Sequence, residues 1–322
     1  MIKKKAVFIL IFISSFLFSC MGNFDAKKDI KKTAIAGITE INQNIAQAES
    51  TEPLKPPEPT RAEVVMKTLA KAYSDQIDKI EFKNDDWAVL LRGVWYYYAG
   101  GKILPESEME NAENYRSYQF YNYPEELPPW RERTPEETER RRNWTRNRIE
   151  NPLKRSDFFL NDLWQAPNRD ETEKNLAQIT FLGKPARIHK LIQSQTAVVE
   201  EQIRNIGKTD PEVQAWITSI YTLESYGWRN IAHTQSRSYH SYGLAIDLLP
   251  RSLGKKQTYW LWTSQNREDW WNVAYDERYH PPESVIKTFE ANGFIWGGKW
   301  PLFDTMHFEY RPEILILNGL LQ

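Results

Sequence analysis

Two of the five histidines in this 322-residue chain stand beside carboxylates at spacings a metal ion can use. His240 lies in "SRSYHSYGLAID", seven residues before Asp247. His307 lies in "GFIWGGKWPLFDTMHFEY", three residues after Asp304 and two before Glu309. Read as a strand, "YGLAIDLL" alternates Leu244, Ile246 and Leu248 on a core side with Gly243, Ala245 and Asp247 on the other. Asp247 then looks out over two residues with almost no side chain, which leaves room for an ion and its other ligands. The intervening "SYG" can turn the chain so that His240 folds back beside Asp247. Two histidines and one carboxylate make three zinc ligands, and the fourth position is left to water, as in catalytic rather than structural zinc.

Ser238, His240, Gly243, Ala245 and Asp247 match SxHxxGxAxD. With the acid-x-x-His of Asp304 and His307, the chain resembles the M15 family of zinc peptidases, the D-alanyl-D-alanine carboxypeptidase and dipeptidase group. The lead-in "GFIWGGKW" with "DTMHFE" is more similar to the L-alanyl-D-glutamate endopeptidase branch. The resemblance covers about residues 215 to 312. It implies one Zn2+ held by His240, Asp247 and His307, Asp304 as general base, and Ser238 as a hydrogen-bonding support. It also implies an arginine upstream of the SxH segment, for which Arg229 is the match and Arg237 the rival. Glu309 competes with Asp304 as base, because in a strand it shares a face with His307. The reaction implied is amide hydrolysis, with zinc bringing the pKa of its water towards about 7 and a carboxylate taking that proton. The other three histidines, His189, His233 and His280, have no partner in the sequence and are read as ordinary.

The elements that must position these residues read as α+β. From Ile217, β-prone stretches such as "ITSIYTL" and "GLAIDLL" alternate with Gly, Ser and Pro, which predicts a small antiparallel sheet. Thr60 and Glu63 form a capping box for a helix over roughly 61 to 80. "TPEE" at 134–137 starts a helix rich in arginine (Arg140, Arg141, Arg142, Arg146, Arg148), read as a solvated face. Apolar spacing predicts a helix from Pro185 to about Asn205, and "DPE" at 210–212 starts another. Between Phe82 and Trp130 aromatics abound, and packing is the expected role for most, with stacking on sugar rings as the alternative. The expectation is a mainly helical segment over 61–175 and a zinc peptidase domain over 176–322.

At the N-terminus, Lys3, Lys4 and Lys5 precede an apolar run of 13 residues, "AVFILIFISSFLF", too short to span a bilayer and suited to a signal peptide. Cys20, the only cysteine, follows "LFS" where lipoprotein leaders carry the lipidated residue. Residues 1–19 read as the leader and 20–60 as a tether, with four prolines in "TEPLKPPEPT" stiffening its end. The 42 basic and 43 acidic residues nearly cancel, so a nucleic-acid partner is not expected. The expected protein is lipid-anchored, faces the periplasm and acts on peptidoglycan stem peptides. The alternatives are an inactive murein binder on the same fold and a periplasmic peptidase for other peptides.

Overall fold

The computed structural model describes residues 58–322 except 119, 128 and 151–153. The leader, Cys20 and nearly all of the tether lie outside the described residues. Residues Pro59–Gln322 form one compact unit, and no boundary falls at 175.

The first helix, α1 (Arg61–Ala72), begins as the sequence predicts: the Thr60 hydroxyl accepts from the Glu63 N–H at 3.2 Å. Val65, Met66 and Leu69 form its buried stripe. It stops eight residues short of the expected end, because Ile77 enters a sheet. Strands β1 (Ile77–Lys83), β2 (Asp86–Leu91), β3 (Val94–Tyr97) and β4 (Leu104–Pro105) form an antiparallel meander. The segment expected to be mainly helical therefore carries a four-stranded sheet. Two-residue turns build it, Asn84–Asp85 with φ of 50° and 61° and Arg92–Gly93 with 52° and 81°. Positive φ at both positions matches the twist of the flanking strands. Beyond a short parallel pair, β5 (Tyr115–Arg116) with β6 (Lys154–Arg155), the arginine-rich helix α2 spans Pro135–Glu150.

The helix expected over 185–205 is a second correction. Leu176–Phe181 (β7) and Lys184–His189 (β8) form a hairpin through Leu182–Gly183, again with positive φ at both residues. Helix α3 begins only at Gln193 and runs to Gly207. Asp210 then caps α4 (Pro211–Ser219) through two backbone N–H groups.

The site is carried by a second antiparallel sheet of spatial order β11-β12-β10-β9. Its strands are β9 (Ile220–Glu224), β10 (Ala245–Pro250), β11 (Phe294–Trp296) and β12 (His307–Tyr310). One face is covered by α5 (Glu283–Ala291), whose Val285, Ile286 and Phe289 are fully buried; Phe289 stacks on Phe308 with ring centroids 3.9 Å apart. The last helix, α6 (Pro312–Leu317), packs on α1, and one hydrophobic core runs from Val65 and Leu69 through Trp164 to Phe294 and Phe308. This continuity makes the N-terminal segment part of the scaffold. No described helix is long and apolar enough to cross a membrane.

Candidate metal centre

The β10–β12 register sets Asp247 directly opposite His307. Leu244, Ile246 and Leu248 fill the core as their alternation predicts. His240 arrives from a 3-10 turn, Tyr239–Tyr242, whose cap is Ser238: the Ser238 hydroxyl accepts from the His240 N–H at 3.3 Å. Ser238 thus supports the backbone that presents His240.

Gly243 ends that turn with φ of 71°. It is not an open floor beneath the ion. A Cβ there would lie 2.5 Å from Leu176 Cδ2 and 2.8 Å from the His189 nitrogen, because the His189 N–H donates to the Gly243 carbonyl. Only glycine fits both the left-handed backbone and this contact. Gly243→Ala is expected to cost about 2 kcal/mol or more in urea unfolding, and an unchanged midpoint would show that the β7–β8 hairpin yields freely.

The three predicted ligands converge. His240 Nε2 lies 3.2 Å from Asp247 Oδ1 and 3.2 Å from His307 Nδ1, and the last two atoms are 2.8 Å apart. All three side chains are buried. Tetrahedral zinc with ligands at about 2.0–2.1 Å spaces them about 3.3 Å apart, so the donor set fits a zinc ion. The outer ring atoms fix which nitrogens face inward. His240 Nδ1 lies 2.5 Å from the Ser225 carbonyl and His307 Nε2 lies 3.1 Å from Glu309 Oε2; each outer nitrogen donates its proton and leaves the inner one as an acceptor. Electrostatics also call for a cation. Burial alone would lower His307, but hydrogen bonding and charge from Asp247 and then Glu309 hold it well above its ordinary value. Against the burial that would raise it, the two histidines hold Asp247 well below the carboxylate range.

Asp304 is half-buried at the edge of this cluster, and its Oδ1 is out of solvent with no hydrogen-bond partner among the described residues. Burial first, and then the negative charge of Asp247, push its carboxyl up to about 8. Its loop is folded against glycine: a Cβ on Gly297 would lie 2.5 Å from the Asp304 carbonyl, and one on Gly298 would enter the Trp296 indole. The "WGG" stretch is therefore close packing beneath Asp304. Trp296 is core, donating to the Thr305 carbonyl at 2.9 Å, whereas Trp300 places its ring 5.2 Å from that of His307.

The arginine alternative separates cleanly. A guanidinium nitrogen of Arg229 lies 3.9 Å from Asp247 Oδ2, on a side chain about half exposed at the rim. Arg237 is stacked between Trp228 and Tyr242 and donates to Asn161 and to the carbonyls of Ala166 and Ser241. Arg237 holds the loop together and makes no hydrogen bond or ion pair to the three donors among the described residues.

Glu309 is likewise placed behind the centre. One oxygen accepts from His307 and the other from Arg311 at 3.3 Å. Arg311 is buried, pairs with Glu313, and lies over the rings of Tyr118 and Tyr239. Glu313 in turn accepts from the Tyr73 hydroxyl at 2.6 Å. A buried chain thus runs from the residue after α1 to a metal-ligand candidate. Sequence reasoning missed Ser225, Arg311, Glu313 and Tyr73, and no local spacing marks them. It also missed Tyr259, whose phenol burial and then the charges of Asp304 and Asp247 push up to about 12. With Glu309→Gln, zinc affinity is expected to fall about 10- to 100-fold in chelator competition. Unchanged affinity would remove the orienting role.

Residues 232–310 match the family model of the M15 peptidases described as D-alanyl-D-alanine carboxypeptidase. The match includes His240, Asp247, Asp304 and His307 and starts after Arg229. It supports a zinc metallopeptidase of the D-Ala-D-Ala carboxypeptidase type. Residues 65–120, which include Tyr73 and Tyr118, match a domain of unknown function, DUF8518. No curated protein and no solved structure matches the chain.

Proposed function

We propose that this protein is a lipid-anchored zinc peptidase that hydrolyses an amide bond in the stem peptides of peptidoglycan. The observation that carries the reading is the convergence of His240 Nε2, Asp247 Oδ1 and His307 Nδ1 beside a carboxylate whose Oδ1 is buried and unused. The M15 match supports the reaction class. The leader over residues 1–19, with Cys20 directly after it, supports an anchor on the periplasmic side, within reach of murein.

Bound among these donors, zinc would supply Lewis acidity, polarising a carbonyl and bringing a water pKa towards about 7. The chain's own residues do the rest. Asp304, unencumbered at Oδ1, accepts the proton of the attacking water and passes it to the leaving amine as the C–N bond breaks. Arg229 at the rim meets negative charge developing on the carbonyl oxygen, and one such donor is worth about 3 kcal/mol. Glu309 and Ser225 keep the outer protons of His307 and His240 in place, so the inner nitrogens keep unprotonated lone pairs that a metal could take. The resemblance of "GFIWGGKW" and "DTMHFE" favours the endopeptidase branch.

The test is digestion of defined muropeptides by the metal-loaded protein, read by product mass. Fragments cut between L-Ala and D-Glu support the endopeptidase form, and free D-Ala alone moves the assignment to a carboxypeptidase. Zinc binding with no product on any muropeptide overturns the peptidase reading.

A further inference from the structure

A groove of about 590 Å³ opens between α2 and the loop that leads to Asp304, with Pro301 in its wall. Trp130, Trp144 and Tyr275 supply aromatic faces, and four arginines line it against one glutamate, Glu137. That glutamate is already engaged: it holds Arg131 through two hydrogen bonds and closes the start of α2 through Thr134. Arg140 lies near the charges of Glu136 and Glu137, whereas Arg133 and Arg141 pair with no carboxylate among the described residues. Arg141 donates to the carbonyls of Trp271 and Pro301, and Arg133 to the side chain of Asn272. Behind Tyr275 sits Arg278, 3 % exposed, with its ring contact at 4.7 Å and an Nε that has no partner among the described residues. Arg133, Arg141 and Arg278 form no ion pair among the described residues. Burial first, and then repulsion from neighbouring arginines that Tyr275 only partly opposes, push the Arg141 and Arg278 guanidinium groups down to about 10. Gathering a buried Arg278 and the half-buried Arg133 and Arg141 without counter-charge is costly, and an anion seated in the groove lowers the cost.

We propose that this groove is a second binding site, which holds a carboxylate-bearing glycan strand of the cell wall beside the catalytic loop. Arg133 lies over the Trp130 ring at 4.9 Å and Arg278 over that of Tyr275. Sugar rings therefore lie against the remaining exposed parts of Trp130, Trp144 and Tyr275, and the acidic substituents pair with Arg133, Arg140 and Arg141. The arginine cluster reaches the loop itself, because Arg278 packs on Phe303, the residue before Asp304, at 4.4 Å. A strand held there keeps its peptide branches within reach of Asp304. The inference rests on the cell-wall reading above and supplies the part of the substrate that is not cut.

The experiment compares the full chain with the double variant Arg140→Glu, Trp144→Ala, both exposed positions, and with Arg140→Lys. Binding to purified murein sacculi is measured by sedimentation across a salt series, beside turnover of sacculi and of a short soluble stem peptide. The double variant is expected to bind sacculi about tenfold or more weakly, with a flatter salt dependence. Its turnover of sacculi should fall further than its turnover of the soluble peptide, and Arg140→Lys should keep sacculus binding. Equal binding by wild type and double variant overturns the proposal, and so does an equal loss of turnover on both substrates. A loss confined to phosphatidylglycerol vesicles, with sacculus binding intact, also overturns it and assigns the groove to the membrane surface. A wild type that cleaves nothing, yet needs the groove to hold sacculi, supports the glycan site and overturns the peptidase reading alone.

Discussion

Asp304→Ala is expected to lower kcat on a cleavable muropeptide by about 10³-fold while zinc content and KM stay near wild type. The reasoning is positional. Asp304 approaches none of the three donor atoms closely enough to hydrogen-bond them, its Oδ1 is unused, and its backbone is anchored independently through Gly297. Removing the carboxyl therefore removes the proton acceptor and leaves the donor set standing. The pH profile gives a second readout. The carboxyl must be ionised to act, so rate falls as pH drops through its pKa. Without metal that value is pushed up to about 8 by burial and by Asp247, and a bound cation opposes the repulsion and brings it lower. Wild type should show an acid limb below about pH 8 that the residual activity of Asp304→Ala lacks. Loss of zinc from Asp304→Ala would make this residue a ligand, and full activity would transfer the base role elsewhere.

The cluster of His240, Asp247 and His307 was legible because metal ligation restricts residue type and local spacing together. His240 and Asp247 are separated by one turn and half a strand, and the alternation through Leu244, Ile246 and Leu248 gave the side of the strand on which Asp247 lies. The third, His307, was legible from the acid-x-x-His spacing in a β-prone C-terminal stretch, which the structure pairs with this strand. The hairpins were not legible. Arg92–Gly93 and Leu182–Gly183 lack the Asn-Gly signature, although their backbone is the same positive-φ turn. Across the second of these, Ile188, Leu191 and Ile192 happen to keep helical spacing where a strand actually ends. Glu309 was legible as a residue on the His307 face but not as one already held by Arg311, since that partner depends on α6 and on Tyr73, 240 positions from Glu313. The charge logic of the buried chain exists only once the first and last helices have packed.

His240→Ala should weaken zinc binding by two to three orders of magnitude and abolish turnover. Four-ligand zinc sites are worth about 10–16 kcal/mol, so one donor carries about 3–4 kcal/mol. Stability supplies a readout that needs no substrate. The folded centre gathers Asp247, Asp304 and Glu309 around two histidines, and the three inward donors meet only in the native state. Zinc would therefore bind the native state in preference to the unfolded one. At a free concentration one thousand times Kd the wild type gains about 4 kcal/mol, seen as a rise in Tm. His240→Ala should lose most of that gain at the same zinc concentration, while Arg229→Ala, which removes a rim charge and no donor, should keep it. If both variants retain the full zinc-dependent rise, the ion binds elsewhere in the chain. If Arg229→Ala loses it as well, the guanidinium beside Asp247 belongs to the framework of the centre, and the assignment of Arg229 to substrate gives way.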